Sequence, residues 1–225
     1  MKPLLIIDFD STFIRDETLD EISKLISLSD KAPKKLYDKI TDITHQAMNG
    51  TLDFSDALKI RIQMLNLHRK DINQVVSVLK NRVSLSFIKN KNRIRALNEN
   101  IYIISGGFKE IITPIVKDYG IHEDHVFANK FRYDENGYIA GVDETSMLSY
   151  SDGKIRALQS LNLDNGAYAI GDGSTDLEMK QVDGVKAFIC LIENINRVIV
   201  SEKADYIASD LDEVFKIIER AEHHG

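Results

Sequence analysis

The chain has 225 residues, of which 43% are hydrophobic and 28% charged, and its formal net charge is −6 at pH 7. These values indicate a globular protein with one sizeable core, and the negative charge argues against general nucleic-acid binding. No apolar run approaches the roughly 20 residues that span a bilayer, and no signal peptide is recognisable. The only cysteine, Cys190, excludes a disulfide framework and a cysteine-based metal site. We expect a cytoplasmic protein.

The first predicted element is a strand formed by four apolar residues, Leu4 to Ile7, of the kind buried on both faces in a parallel sheet. Asp8 and Asp10 follow it, and alternation would place both carboxylates on one side if the strand continued. Like charges this close are unfavourable unless a cation, a proton or a rearranged backbone relieves them. Ligands bind at this end of a central strand in open α/β sheets. The alternative is that one of these aspartates caps a following helix.

Four amphipathic helices and no strand are predicted between residues 17 and 83. Asp16, Asp53 and Asp71 are the predicted N-caps of the first, third and fourth helices. The apolar residues at helical spacing are Leu19, Ile22 and Ile26, then Leu36, Ile40, Ile43 and Ala47, then Phe54, Leu58 and Leu65, and finally Ile72, Val75, Val76 and Leu79. This segment is therefore expected to form a small helical bundle.

Arg61 is the unusual residue of this helical segment. It lies on the stripe of the third helix that Phe54 and Leu65 occupy, where an aliphatic residue is expected. A charge held against an apolar face needs an anionic partner, and a guanidinium binds a carboxylate through two parallel hydrogen bonds. That partner is either an acid of the protein or a ligand, and the residue pattern leaves both open.

Strands and helices alternate in the rest of the chain. Predicted strands are 101–104, 126–127, 167–170, 187–189 and 206–208, and predicted helices are 87–98, 108–119, 154–161 and 211–221. Asn136-Gly137 predicts the turn of a small β-hairpin. We expect a doubly wound, Rossmann-like α/β core built from residues 1–15 and 84–225, with residues 16–83 inserted as a helical cap.

Polar turns follow three predicted strands, at Asp8 to Thr12, Ser105-Gly106-Gly107 and Gly171 to Asp176. Because the carboxyl ends of parallel strands share one edge of the sheet, these turns are expected to form a single site. Carboxylates without cysteine or histidine ligands suit a hard cation, and Mg²⁺ is the one we expect. Glycines allow the backbone to approach an anion, toward which a helix starting at Phe108 would direct its N–H groups. Together these features indicate phosphoryl transfer.

Two of these turns also have a purely structural interpretation. Gly106-Gly107 is typical of a tight turn, and Thr175 with Glu178 matches a helix capping box. Each alternative is reasonable when its turn is considered singly. The aspartate pair after the first strand, taken together with both turns, favours the functional interpretation.

The motifs, in this order, resemble those of the haloacid dehalogenase superfamily and, within it, the phosphoserine phosphatase family. The resemblance spans essentially the whole chain. Asp8 to Thr12 matches the first motif, Asp-x-Asp-x-Thr/Ser, and Ser105-Gly106-Gly107 matches the second. The Ser-Asp-Gly-Lys ending at Lys154 resembles the third, Ser-Gly-Gly-Lys, with an aspartate replacing one glycine. Gly171 to Asp176 matches the fourth, Gly-Asp-Gly-x-x-Asp, with Thr175 where many members have asparagine.

The resemblance implies an Mg²⁺-dependent phosphatase that hydrolyses O-phosphoserine through an aspartyl phosphate, with roles for named residues. Asp8 would be the nucleophile and Asp10 the general acid and base. The metal ligands would be Asp8, Asp172 and the main-chain carbonyl of Asp10. The remaining implied roles are phosphoryl binding by Ser105, Gly106 and Lys154, orientation of Lys154 or of a metal-bound water by Asp176, binding of the α-carboxylate by Arg61 and of the α-ammonium by Glu17, and pocket walls from Met48 and Phe54.

Two alternatives and one question remain open from the sequence. The substrate could be another small phosphomonoester, hydrolysed or transferred by a related enzyme. The chain could also be an inert binding protein that keeps the fold, which the intact acidic residues and Lys154 disfavour. A monomer and a homodimer are both compatible with the sequence.

Overall fold

The computed structural model describes residues 2–27, 35–48 and 51–224. Its strands are β1 (Leu4–Ile7), β2 (Ile101–Phe108), β3 (Val126–Asn129), β4 (Phe131–Tyr133), β5 (Ile139–Val142), β6 (Ala167–Gly171), β7 (Val185–Leu191) and β8 (Tyr206–Ala208). Six of them form a parallel sheet in the order β3-β2-β1-β6-β7-β8, and β4 pairs with β5 in an antiparallel hairpin. The predicted doubly wound α/β class with a small hairpin is therefore confirmed.

The central position of β1 explains its apolar sequence. Leu5 lies opposite Ile101 of β2 on one side and Tyr168 of β6 on the other. Leu5 and Ile7 pack into the larger of two hydrophobic clusters, whereas Ile6 packs into the smaller one on the other face of the sheet. Because β1 lies between β2 and β6, the chain that follows it emerges at the middle of the sheet edge.

Helices cover both faces of the sheet and form the inserted segment. They are α1 (Thr18–Ser27), α2 (Leu36–Met48), α3 (Phe54–Met64), α4 (Ile72–Leu79), α5 (Leu85–Lys89), α6 (Lys91–Ala96), α7 (Lys109–Val116), α8 (Gly153–Gln159), α9 (Ser174–Glu178), α10 (Val198–Ser201) and α11 (Leu211–His224). The predicted helical bundle corresponds to α1–α4. No helix in the described part of the chain is long and apolar enough to cross a membrane.

The predicted N-cap of α3 is confirmed, and that of α1 is wrong. The Asp53 side chain accepts hydrogen bonds from the backbone N–H groups of Ser55 (2.8 Å) and Asp56 (3.2 Å). Asp16 lies two residues before the first residue of α1, and its carboxylate pairs with Arg82 at 3.0 Å. A tertiary ion pair has thus replaced the local cap.

The predicted cap of α4 by Asp71 is also wrong. A short 3₁₀ turn, Arg69–Asp71, precedes α4, and the Asp71 side chain makes no capping bond to that helix. Its carboxylate instead accepts a hydrogen bond from the backbone N–H of His68 at 3.2 Å. Asp71 therefore closes the turn that leads into the helix.

The segment after Ile104 differs from the prediction. Ser105 to Gly107 continues strand β2 instead of leaving it, because Phe108 still pairs with Asn129 of β3 after a register shift. The following helix, α7, is shorter than predicted. It ends two residues after Pro114 and tightens into a 3₁₀ turn before Gly120, which has a left-handed φ of 83°. Proline removes an N–H donor and disfavours continuation of a regular helix.

The helical segment is joined to the sheet by two neighbouring stretches of chain. Arg15 N–H donates to the Arg82 carbonyl at 2.8 Å, and Ser84 N–H donates to the Phe13 carbonyl at 3.0 Å. Both the exit from the sheet and the return to it therefore pass through one small antiparallel pair. We propose that this pair is the boundary between a cap, residues 16–83, and a core, residues 1–15 and 84–225.

The hairpin provides a third attachment of the cap. Ile139 N–H donates to the Leu67 carbonyl and Arg69 N–H to the Gly137 carbonyl, both at 2.9 Å. Gly137 has a φ of 87°, and a Cβ atom there would lie 2.7 Å from Nε2 of His68. Residues 67–69 thus lie beside the hairpin like a short additional strand, and glycine allows that approach.

Candidate active site

The carboxyl ends of β1, β2 and β6 meet at one edge of the sheet, as predicted, beneath the helices of the cap. They enclose a cavity of about 40 Å³. The residues that line it are Asp8, Asp10, Glu17, Leu19, Phe54, Ser105, Gly106, Gly107, Lys154, Asp172, Gly173, Thr175 and Asp176. Arg61 is outside this set, and the side chain of Met48 lies outside what the structure describes. The other predicted site residues are brought together.

Lys154 lies between two carboxylates. Its Nζ donates to Oδ1 of Asp8 at 2.7 Å and to Oδ1 of Asp176 at 2.6 Å, and all three side chains are buried. Burial alone would lower the pKa of Lys154, but Asp176 and Asp8 outweigh it and raise that pKa above its usual value. The lysine is therefore a permanent positive charge beside Asp8.

Each carboxylate oxygen of Asp176 accepts one hydrogen bond. Its Oδ2 accepts a hydrogen bond from the Gly173 N–H at 3.0 Å, while Oδ1 accepts from Lys154. Because α9 begins at Ser174, Thr175 lies inside the helix, and the capping box suggested for Thr175 and Glu178 is not formed. The capping contact comes from Asp176, which at the same time orients Lys154.

Asp8, Asp172 and Asp176 offer carboxylate oxygens that lie within 4.8 Å of one another, and all three residues are buried. Burial raises the pKa of Asp8 to about 7, and the neighbouring Asp176 adds to the rise. Thr12 Oγ1 donates to Oδ1 of Asp172 at 2.8 Å and fixes its orientation. Oxygen donors of this kind, crowded and short of positive charge, are consistent with a divalent metal.

Asp10 both lines the cavity and accepts hydrogen bonds at the start of a helix, so the site interpretation and the capping interpretation of the aspartate pair both apply to it. The chain makes a tight helical turn over Phe9–Phe13, with Ser11 at a φ of 55°, so the strand does not continue. Oδ1 of Asp10 accepts hydrogen bonds from the backbone N–H and the hydroxyl of Thr18, the first residue of α1. Burial and then Glu17 raise the pKa of Asp10 to about 8. A raised pKa suits a group that donates a proton near neutral pH.

The cap is closed on the core at Phe54. A Cβ atom at Gly106 would lie 2.4 Å from Cζ of Phe54, so only glycine allows this contact. Next to it, Ser151 Oγ donates to Oδ2 of Asp53 at 2.6 Å. The remaining cavity has a volume of about 40 Å³. We expect entry of an organic phosphate to need movement of the cap, because Phe54 packs against the strand end.

The hydroxyl of Ser105 can donate its proton to a bound anion. Its Oγ accepts a hydrogen bond from the Gly107 N–H at 3.0 Å, which leaves the hydroxyl proton available to another acceptor. The Gly106 carbonyl is held by Nδ2 of the buried Asn129 at 2.9 Å. These hydrogen bonds hold the end of the strand in place. The helix that follows begins at Lys109, one residue later than predicted.

Arg61 is buried behind the cavity, with 4% of its surface exposed. Its Nη1 donates to Oγ1 of Thr44 at 3.1 Å and its Nε to the carbonyl of Ala57 at 3.3 Å. Among the described residues, no carboxylate lies within ion-pair distance of it. The interpretation of Arg61 as the partner of a protein acid is therefore not supported.

Arg197 is a site residue that the sequence did not reveal. Its guanidinium pairs with Oε1 of Glu17 at 3.2 Å and also with the carboxylate of Asp172. It follows β7, the neighbour of β6, so its loop reaches the same edge of the sheet. Asn194 in that loop donates to the Ser11 carbonyl at 3.0 Å. The signal that could have indicated this loop is the position of its strand, β7, beside β6 in the sheet.

Known proteins share this architecture. Residues 5–181 match the family model of the haloacid dehalogenase-like hydrolases. The chain is 31% identical over 203 residues to the chloroplastic phosphoserine phosphatase of Arabidopsis thaliana, covering 89% of this chain and 66% of the relative. It is 28% identical over 215 residues to the phosphoserine phosphatase of Homo sapiens, covering 94% and 91%.

A solved structure shows the same fold. The phosphoserine phosphohydrolase-like protein from Francisella tularensis superimposes with a TM-score of 0.84 at 26% identity, over 97% of this chain and 100% of the other. The family match covers most of the chain, and the site contains the acidic residues and the lysine of the motifs. The chain therefore belongs to the haloacid dehalogenase-like hydrolases and is a phosphatase of that family.

Proposed function

We propose that this protein hydrolyses O-phosphoserine to serine and phosphate with Mg²⁺, through an aspartyl phosphate formed on Asp8. The observation that supports this substrate is the presence of two opposite charges in the cap, a carboxylate and a guanidinium. Glu17 lines the cavity, where Arg197 is its partner at 3.2 Å, and the buried Arg61 has no carboxylate within ion-pair distance among the described residues. An amino acid brings the complementary ammonium and carboxylate. The named activities of the two relatives support the same substrate.

Asp8 and its neighbours account for the first chemical step. An Asp8 oxygen attacks phosphorus, and the bond from phosphorus to the serine oxygen breaks as the aspartyl phosphate forms. Lys154, 2.7 Å from Asp8, and the hydroxyl of Ser105 face the phosphoryl oxygens. Asp10, with its raised pKa, protonates the departing serine oxygen.

In the second step Asp10, now ionised, removes a proton from the water that attacks phosphorus and releases Asp8. The residues that would hold the metal are Asp8, Asp172 and the main-chain carbonyl of Asp10. Bound Mg²⁺ would supply positive charge to the phosphoryl oxygens and favour the ionised form of Asp8. The substrate class is tested by measuring phosphate release from a panel of phosphomonoesters with and without Mg²⁺; preference for a substrate lacking the carboxylate would contradict the proposal.

Replacing the nucleophile tests the covalent step. Asp8→Asn should abolish turnover and leave the fold intact, because an amide does not attack phosphorus and binds a cation poorly. Phosphate release and the melting temperature would be measured together. The matched control is Asp124→Asn, an exposed residue before the amino end of β3, which should keep full activity. Near-normal activity of Asp8→Asn would show that the nucleophile is misassigned.

Replacing the proton donor tests the role of Asp10. Asp10→Asn should lower kcat by about 10²- to 10⁴-fold, the usual contribution of general acid–base catalysis. Single-turnover measurements would separate the two steps. A rapid release of serine followed by stalled release of phosphate would restrict Asp10 to the second step, and an unchanged kcat would exclude it from both.

Opening of the cap should be visible by hydrogen exchange. A fluoride-type phosphate mimic with Mg²⁺ should slow amide exchange in α1, α2 and the first turns of α3, because the closed cap buries the cavity. Residues 67–69 should change little, since the hairpin already holds their backbone. The amides of β6 provide a core control. Equal exchange in the cap with and without the mimic would contradict an opening cap.

Arg61 decides the substrate. Arg61→Ala should cost ~2–5 kcal/mol of transition-state stabilisation with phosphoserine, because the substrate carboxylate loses its partner in a desolvated pocket. The loss should be much smaller with phosphoethanolamine, which has no carboxylate. Arg61→Lys should rescue only partly, since an ammonium cannot form two parallel bonds. The measurement is kcat/KM for both substrates, and equal losses for both would remove the support that Arg61 gives to phosphoserine.

A further inference from the structure

The guanidinium of Arg61 is bound only by neutral groups among the contacts described for it. Thr44 Oγ1 and the Ala57 carbonyl accept its hydrogen bonds, at 3.1 and 3.3 Å. A guanidinium carries more N–H donors than these two contacts use. Its charge is thus held in place without being neutralised by contact, in a position with 4% of the residue exposed.

Thr44 connects this guanidinium to an acid. It lies on α2, is 3% exposed, and its Oγ1 is 2.7 Å from Oδ1 of Asp20 on α1. The carbonyl of Ile40, one turn earlier, is a second acceptor at 3.0 Å. Because the hydroxyl has one proton, donation to the closer Asp20 carboxylate turns an oxygen lone pair toward Arg61. The chain Asp20–Thr44–Arg61 joins α1, α2 and α3.

This arrangement keeps Asp20 one hydroxyl away from Arg61. Direct contact would form a buried ion pair and occupy the donors that a ligand carboxylate needs. Burial lowers the pKa of Arg61. The nearby Glu17, Asp20 and Asp10 oppose that effect and favour the cation. The hydroxyl therefore holds the guanidinium in place without neutralising its charge.

We propose that Thr44, oriented by Asp20, is a positioning residue that directs the free N–H groups of Arg61 toward the carboxylate of the substrate. The proposal rests on the function proposed above. Discrimination between phosphomonoesters with and without a carboxylate then depends on a hydroxyl that does not touch the substrate.

Thr44→Val tests this role, because valine keeps the shape and removes the hydroxyl. With phosphoserine, kcat/KM should fall about 10- to 100-fold, the range for a hydrogen bond to a charged group, and mainly through KM. With phosphoethanolamine the loss should stay within about threefold. Thr44→Ser, which keeps the hydroxyl, should restore most of the phosphoserine activity.

Two further variants separate positioning from folding. Thr113→Val in α7 removes a buried hydroxyl that makes no hydrogen bond among the described residues, and it should affect both substrates equally and little. If Thr44→Val does not fold, Asp20→Asn, which keeps the shape of the acid, should still weaken phosphoserine selectively. Equal losses for both substrates, or no loss in either variant, would overturn the proposal while leaving the phosphatase function intact.

A substrate-free measurement tests the positioning directly. Nitrogen NMR of the Arg61 guanidinium, assigned by Arg61→Lys, should show restricted rotation in the natural chain and free rotation in Thr44→Val. Equal order of the guanidinium in both would overturn the proposal. A natural chain that does not prefer phosphoserine over phosphoethanolamine would instead contradict the proposed function, and the NMR comparison would still decide what Thr44 does.

Discussion

Crowding of carboxylates at the carboxyl end of β1 is the constraint on which the site depends. Asp8, Asp172 and Asp176 place ligand oxygens within 4.8 Å of one another in a buried position. Such an arrangement is unstable without positive charge. Lys154 supplies one cation between Asp8 and Asp176, and Arg197 supplies another at Asp172. The motif residues are thus parts of one charge balance, which a divalent cation completes in the function proposed here.

Closure of the cap determines how strongly this charge balance acts. Phe54 packs on Gly106 at the edge of the cavity, and charges interact more strongly where water is excluded. A substrate would have to pass this contact. The connection between cap and sheet is narrow, one pair of chain segments around Ile14 and Val83, whereas the hairpin holds residues 67–69. In the proposed function, a cap held at these two places would open mainly at the end that carries Phe54.

The sequence predicted which strand ends meet around the cavity, because the residues that follow those strands are marked by local chemistry. It failed where a distant partner competes with a local one. Asp16, predicted to cap α1, pairs instead with Arg82, 66 positions later. β2 continues past Ser105 because Phe108 pairs with Asn129 of β3. No pattern in the neighbouring sequence indicates this pairing. Arg197 reaches Glu17 across 180 positions. Helical periodicity singled out Arg61, but its contact with Thr44 depends on how two helices pack.

The two buried cations of the site are held in different ways, and the difference matches what each is proposed to bind. Lys154 touches two carboxylates directly, so it remains charged and fixed whether or not a phosphoryl group is present. Arg61 has no direct contact with a described carboxylate and is linked to Asp20 only through Thr44, so its charge remains available. A phosphoryl group shares its negative charge with several donors, and the loss of one is partly compensated. A carboxylate held by one guanidinium has no such reserve. In the proposed function, selectivity would therefore depend more on the orientation of Arg61 than on any single phosphoryl contact.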